Sequence, residues 1–451
     1  MPNRTHTVIA AGLLFGAVLF AAATLGPSAT SPASLAAPAA VAVPAAGLMV
    51  TAGQPNLPVG GSLEDLIASL QTRLESVPDD HASWATLGLA YVQQARTTVD
   101  PSFYGKADGA LARSLQIDDD DNFLAYAGLS ALAAARHDFP AAEAFAERGL
   151  EINAYSAILY GALSDAQIQL GDYDAAFESV QQMVDLAPDT ASLSRASYTW
   201  ELRGDIERAR DLMERALDDA PSPADRAFTL VHLGGLSFDQ GDAANALEFY
   251  NDALESKPDD IAALAAKARA EAALGQTDTA VEHWTQVVTR APEPGYVFEF
   301  ARLLESLGRT DDAEQQWAVF DATQQLFAAN GVLPDATATL AAAERGRLDE
   351  ALDDVSQAVR SRPFLDVYDA QAWVLHLAGR HEEALQAIDR ALQLGTRNAR
   401  FHYHAGMIAL ALDDTARAER ELTMALSINP EFDPLSAPDA REALAELQAG
   451  R

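Results

Sequence analysis

Residues 241–258 read GDAANALEFYNDALESKP, and residues 275–292 read GQTDTAVEHWTQVVTRAP. The two strings share little, yet four positions answer one another: Gly241 and Gly275, Ala246 and Ala280, Tyr250 and Trp284, Pro258 and Pro292. Each has a physical use. Glycine ends a helix where the backbone must turn left-handed. Alanine lets two helices approach closely, and the large residue one turn later fills the space beside it. Proline stops the second helix and starts the turn that follows.

Working outward, the alanine recurs as Ala107, Ala142, Ala176, Ala209, Ala246, Ala280, Ala313, Ala351, Ala384 and Ala418, 33 to 38 residues apart. Glycine stands five residues earlier in seven units (Gly171, Gly204, Gly241, Gly275, Gly308, Gly346, Gly379). Proline stands twelve later in six (Pro188, Pro221, Pro258, Pro292, Pro363, Pro430). Val180, Trp317 and Leu422 repeat the large apolar position. Three constraints in one phase predict an all-α solenoid of about ten stacked helical hairpins.

The run Trp84-x2-Leu87-Gly88-x2-Tyr91 resembles the first-helix signature of the tetratricopeptide repeat (TPR) family, whose period is about 34 residues. The resemblance extends from Ser62 to about Pro430. It implies a right-handed superhelix of antiparallel pairs, with a concave groove lined mainly by the first helices. Departures are local. A loop with Pro101 interrupts the first unit, and the seventh has an overlong second helix (Asp312 to about Ala329) stopped by Asn330-Gly331. Ala154 and Thr396 stand where the second and ninth units lack their proline. Ala437 to Ala449 reads as a solvating cap with Arg441, Glu442 and Glu446 on its polar side. The stretch Leu63–Tyr91 also looks like the TPR domains of cytochrome c maturation factors.

Composition agrees with helices. Apolar residues form 49% of the 451-residue chain but aromatics only 7%, and roughly one residue in five is Ala, the best helix former. The formal net charge is -35, with only three lysines (Lys106, Lys257, Lys267). Such a surface repels phosphate, which argues against nucleic acid and anionic lipid as partners. Solubility, or adaptation to a salty medium, is one account of the acidity; a groove for basic partners is the other. There is no cysteine, so disulfides, thiolate metal sites and acylated-Cys anchors are excluded.

Residues 1–25 hold the apolar run Thr7–Leu25 behind Arg4, long enough to span a bilayer as an uncleaved anchor. The same run reads as a signal peptide with Ala21-x-Ala23 as its cleavage site. Either way the remainder is expected to be extracytoplasmic, with the membrane touched by this segment alone. Residues 26–61, with six prolines, read as a disordered Ala/Pro-rich tether. Residues 62–435 are assigned to the solenoid and 436–451 to the capping helix and tail.

No chemistry announces itself. His402 and His404 are two apart and point away from each other on a helix. His376 and His381 straddle a turn without the His-Glu-x-x-His pattern. The run Asp118–Asp121 fails as a calcium loop at Phe123 and Leu129. No phosphate loop or nucleophile elbow appears, so no catalytic residue, metal site or cofactor is expected. Trp284 and Trp317 fall at the interhelix packing position and read as core.

Function should therefore lie in the groove, in an extended peptide or protein partner. Counting from the turns, the inward face of the first helices includes Tyr198, Glu201, Phe238, Asp239, Arg269, Arg302, Glu305, Asp369, Trp373, His376 and Tyr403. Some TPR domains clamp a peptide carboxylate with Lys and Asn. The matching asparagine position here reads Tyr198, Gly235, Arg269, Arg302, Leu340, Trp373 and Met407, so no such clamp is expected. Arg269 and Arg302 are the candidate anion contacts, with salt bridging to neighbouring acids as the alternative. The expectation is a non-enzymatic binding scaffold; the alternative is an accessory subunit of an envelope enzyme complex, as in cytochrome c maturation.

Overall fold

The computed structural model describes residues 62–449; the N-terminal apolar segment and the proline-rich tether lie outside them. Within the described residues there are 22 helices and no strand. Helix α1 (Leu63–Ser76) leads, capped by Ser62 in a reciprocal box with Asp65. Pairs follow, each closed by a short turn: α2 (His81–Thr97) with α3 (Phe103–Ile117), α4 (Phe123–Ala135) with α5 (Phe139–Ile152), α6 (Ala157–Gln169) with α7 (Tyr173–Leu186). Next come α8 (Thr190–Leu202) with α9 (Ile206–Asp218), α10 (Pro223–Asp239) with α11 (Ala243–Ser256), α12 (Ile261–Ala273) with α13 (Thr277–Arg290). Then α14 (Pro294–Ser306) pairs with α15 (Thr310–Ala329), α16 (Ala336–Glu344) with α17 (Leu348–Ser361), α18 (Leu365–Leu377) with α19 (His381–Ala391), and α20 (Ala399–Ala411) with α21 (Thr415–Ile428). Helix α22 (Ser436–Ala449) closes the array.

The phased landmarks act at the places their chemistry requires. All ten alanines of the ruler are at most 1% exposed. Leu111, four residues after Ala107, enters the notch that Gly88 leaves on α2; a Cβ there would lie 2.5 Å from the Leu111 Cγ. Leu422 fills the notch at Gly406 in the same way, at 2.7 Å. Trp284 and Trp317 are core, 2% and 1% exposed. Proline follows the helix end closely: α11 stops at Ser256 before Pro258, and α13 at Arg290 before Pro292. The seven glycines at the intra-pair turns have φ between +68° and +84°. Where glycine is missing, His137 and Asp413 take the same left-handed position, and Val99 does so in the interrupted first pair.

The array also winds back on itself, a feature the repeat pattern does not disclose. Turns inside the early pairs meet turns between the late ones. His137 Nδ1 reaches the Leu333 carbonyl at 2.8 Å, and Leu333 N–H donates to the Arg136 carbonyl at 3.1 Å. Arg362 donates to Gln169, Thr396 Oγ1 to the Leu202 carbonyl, and Asn429 Nδ2 to the Phe238 carbonyl at 2.8 Å. These partners are 196, 193, 194 and 191 residues apart, so the seam keeps one register along its length. Val99 extends it by packing on the cluster that holds Ala291 and Tyr296. The missing proline of the ninth unit now has a reason: Thr396 supplies a hydroxyl that proline lacks.

Two glycines of similar φ isolate the seam's contribution. A Cβ on Gly275 (φ +73°) meets nothing within 4 Å, whereas one on Gly204 (φ +73°) collides with the Gly395 carbonyl oxygen. Gly275→Ala should cost about 1–2 kcal/mol, the left-handed penalty alone. Gly204→Ala should cost clearly more in denaturant unfolding followed by circular dichroism. Equal losses would mean the seam adds nothing.

Candidate inner-face site

Successive first helices pack on one another more closely than successive second helices do, which puts the first helices on the inner side of the array; the residues singled out above fall there into three different situations. One group is unpartnered. The side chains of Glu201, near the end of α8, and Asp239, ending α10, make no hydrogen bond or ion pair among the described residues. Burial, then the charges of Asp239 and Asp366, push Glu201 up to about 8. Burial likewise raises Asp239 to about 6, with Arg269 opposing and Glu299 adding to the shift. Asp239 is nevertheless exposed to water at the end of α10, whereas Glu201 is half-buried, so the shift counts for more at Glu201. Beside Glu201 on the same helix face, Tyr198 is 3% exposed with a hydroxyl that has no partner.

The second group is bound up in ion pairs. Arg269 grips Glu299 through Nε at 2.7 Å and Nη2 at 2.5 Å, with its guanidinium 5.9 Å from the Phe238 ring centre. Arg302, 7% exposed, pairs with Glu344 and with Asp433, the latter through Nε at 3.2 Å and Nη2 at 2.8 Å. Arg302 holds Asp433 down at about 2 despite burial. The two candidate anion contacts are thus satisfied by the chain's own acids. Asp369, fully buried, accepts from Arg400 Nε at 3.0 Å and lies 2.7 Å from His404 Nδ1. Its pKa falls below the usual carboxylate range because the hydrogen bonds and charges of these partners outweigh burial. His402 turns instead to Glu421 at 2.8 Å, so the neighbouring histidines serve different carboxylates.

The third group is aromatic. Trp373 lies between His376 (ring centres 5.1 Å, 12°) and His404 (4.2 Å, 15°). Burial, with His381 and His404 nearby, lowers His376 to about 4 and keeps it neutral. Tyr403 donates to Asp439 at 2.6 Å and packs on Phe432 at 5.7 Å. Glu305 stands apart from all three groups. It accepts the Trp317 indole N–H at 2.7 Å, so it sits on the seam between α14 and α15 rather than with the inner cluster. Helix period 3.6 brings Glu305 nearer the facing second helix than Arg302 is.

Sequence reasoning missed Glu299, Glu344, Asp366 and Arg400, which complete these pairs, and weighed His404 only as a metal ligand. Three of the four lie three residues before a named position, one helical turn along the same face, where a full helical-wheel count finds them. Asp433 carried no such signal, since it belongs to the turn before α22. Among the described residues no group of side chains could hold a metal ion, and no helix is long and apolar enough to cross a membrane.

Two tetratricopeptide repeat models match the chain, one over residues 202–261, 265–318, 338–399 and 378–436, the other over residues 157–190. No curated protein matches it. Solved structures similar to it include a tetratricopeptide repeat protein from Parabacteroides merdae, 21% identical over 57% of this chain and 98% of that one, TM-score 0.34. Pseudomonas aeruginosa pilF is 15% identical over 48% and 94%, TM-score 0.36. A human IFIT1 dimer with m7Gppp-AAAA is 15% identical over 73% and 76%, TM-score 0.46. With helix pairs phased by glycine, alanine and proline, and family models matching over most of that array, this chain belongs to the tetratricopeptide repeat family.

Proposed function

We propose that this protein is a non-enzymatic scaffold that holds an extended peptide or partner protein on its inner face, outside the cytoplasmic membrane. The observation that carries the reading is the contrast on that face. Its arginines are occupied by the chain's own acids, while Glu201 and Asp239 have no partner. A lysine or arginine side chain from a partner supplies what those carboxylates lack. The net charge of -35 steers a basic partner inward and a nucleic acid away. The exported location rests on the apolar run Thr7–Leu25. If the scaffold instead serves as an accessory subunit of an envelope enzyme, as the likeness of Leu63–Tyr91 to cytochrome c maturation factors suggests, that enzyme will co-purify with it.

Fluorescence anisotropy with labelled extended peptides tests the reading. A lysine-rich decamer should bind more tightly than its glutamate-rich counterpart, and more weakly as salt rises. The Glu201→Gln, Asp239→Asn double variant should lose about tenfold in affinity for it, or about 1.4 kcal/mol. Equal binding of both peptides, or no change in the double variant, would refute the reading.

The same carboxylates make stability depend on pH. Glu201 binds its proton more tightly folded than unfolded, because its pKa rises from 4.5 to about 8. Its contribution is therefore complete below the unfolded value and is lost as pH climbs through about 8. Wild-type Tm should rise as pH falls from 8 toward 5.5. Glu201→Gln should flatten that slope and raise Tm at pH 8. A slope unchanged by the substitution would show that Glu201 ionises freely.

A further inference from the structure

We propose that the turn joining α21 to α22 is a built-in ligand of the inner face, and that the place it fills accepts an aromatic–acidic peptide from a partner. The inference rests on the inner face being a binding surface, and names a second ligand for it.

The turn, residues 429–435, enters among the first helices rather than passing over the end of the array. Asp433 lies 131 residues from Arg302 in the chain, yet the two form the two-pronged pair described above. Arg302 Nη2 also donates to Ser436 Oγ at 3.2 Å. Phe432, the residue before the acid, packs on the inner-face Tyr403. The carboxylate is aimed in advance: the N–H groups of Leu435 and Ser436 donate to its Oδ1 at 2.9 and 2.7 Å. Its leading end is pinned twice: Asn429 donates to the Phe238 carbonyl, and the Pro430 carbonyl accepts from Arg441 Nη1 at 2.6 Å.

End-capping alone does not require this insertion. A solenoid end needs its last apolar face covered, and Ala440 and Ala443 of α22 do that against Leu422 and Ala425. Phe432 joins that covering, whereas Asp433 reaches a helix three pairs upstream and pairs with a guanidinium there. An aromatic side chain followed by a carboxylate is the contact an incoming peptide would make: until this segment leaves, Asp433 occupies the Nε and Nη2 edge of Arg302, with Glu344 on Nη1 throughout. Because the segment is tethered, it competes at an effective concentration on the order of millimolar, and a free peptide binds the intact protein weakly.

The test uses the full-length protein and a labelled peptide of residues 429–436. Wild-type protein should show little binding at micromolar concentrations. The Phe432→Ala, Asp433→Ala double variant should bind the peptide at least tenfold more tightly, and adding Arg302→Met should abolish the gain. A folded double variant that binds no better than wild type would overturn the proposal, as would a gain that survives Arg302→Met. If the double variant does not fold, hydrogen exchange on wild type decides. Millimolar unlabelled peptide should speed exchange of the Leu435 and Ser436 amides, and unchanged rates would refute displacement. The lysine-rich peptide separates the two readings. Its binding depends on Glu201 and Asp239, so it should persist in the double variant even if the acidic peptide fails.

Discussion

Everything in this molecule depends on the close approach of two helices at a buried alanine. A helical hairpin of this size has one greasy side and no means of hiding it alone. The ten alanines bring each second helix against its first, the large residue one turn on fills the glycine or small-residue notch opposite, and the joint apolar surface is then closed by the next hairpin. The result is a core divided into several clusters along the array rather than one central core. Charged side chains are left to the inner and outer faces, and those faces are where partners can be chosen.

The hairpin architecture was legible because it is local. Gly241, Ala246, Tyr250 and Pro258 each answer to a constraint a few residues away, so the string itself exposes them. Helix ends followed for the same reason: the N-caps Asp260 and Ser62 and the long α15 stopped at Asn330 all sit where short-range chemistry put them. The inner face was legible only as a register. It identified Arg269, Arg302 and Asp369 without their partners, because Glu299, Glu344 and Arg400 come from other hairpins. The pair Arg195–Asp165, almost fully buried between neighbouring hairpins, was invisible for the same reason. The seam lay further still beyond reading, since contacts some 190 residues apart have no sequence period of their own.

The inner face is electrically uneven as a consequence. Its arginines sit in pairs that gain little net stability but would be costly to break, since removing one partner strands a buried charge. They fix the geometry of the later hairpins. Glu201, earlier in the array, is perturbed in another way: burial and the charges of Asp239 and Asp366 raise its proton affinity, whereas at Asp239 the nearby Arg269 and Arg400 offset part of the shift. On the proposed reading, such a face would distinguish partners by charge at one end and by displacement at the other.

The seam also removes a freedom that repeat proteins usually enjoy. An open array can gain or lose a hairpin anywhere, because each unit meets only its neighbours. Here the turn at Leu202 must meet Thr396, and the turn at Phe238 must meet Asn429, with the same stretch of chain between. Duplicating one hairpin in that interval would carry every later turn past its mate, and the rungs would fail together. The number of units between the mates has become a fixed dimension of the molecule, as the circumference of a ring is.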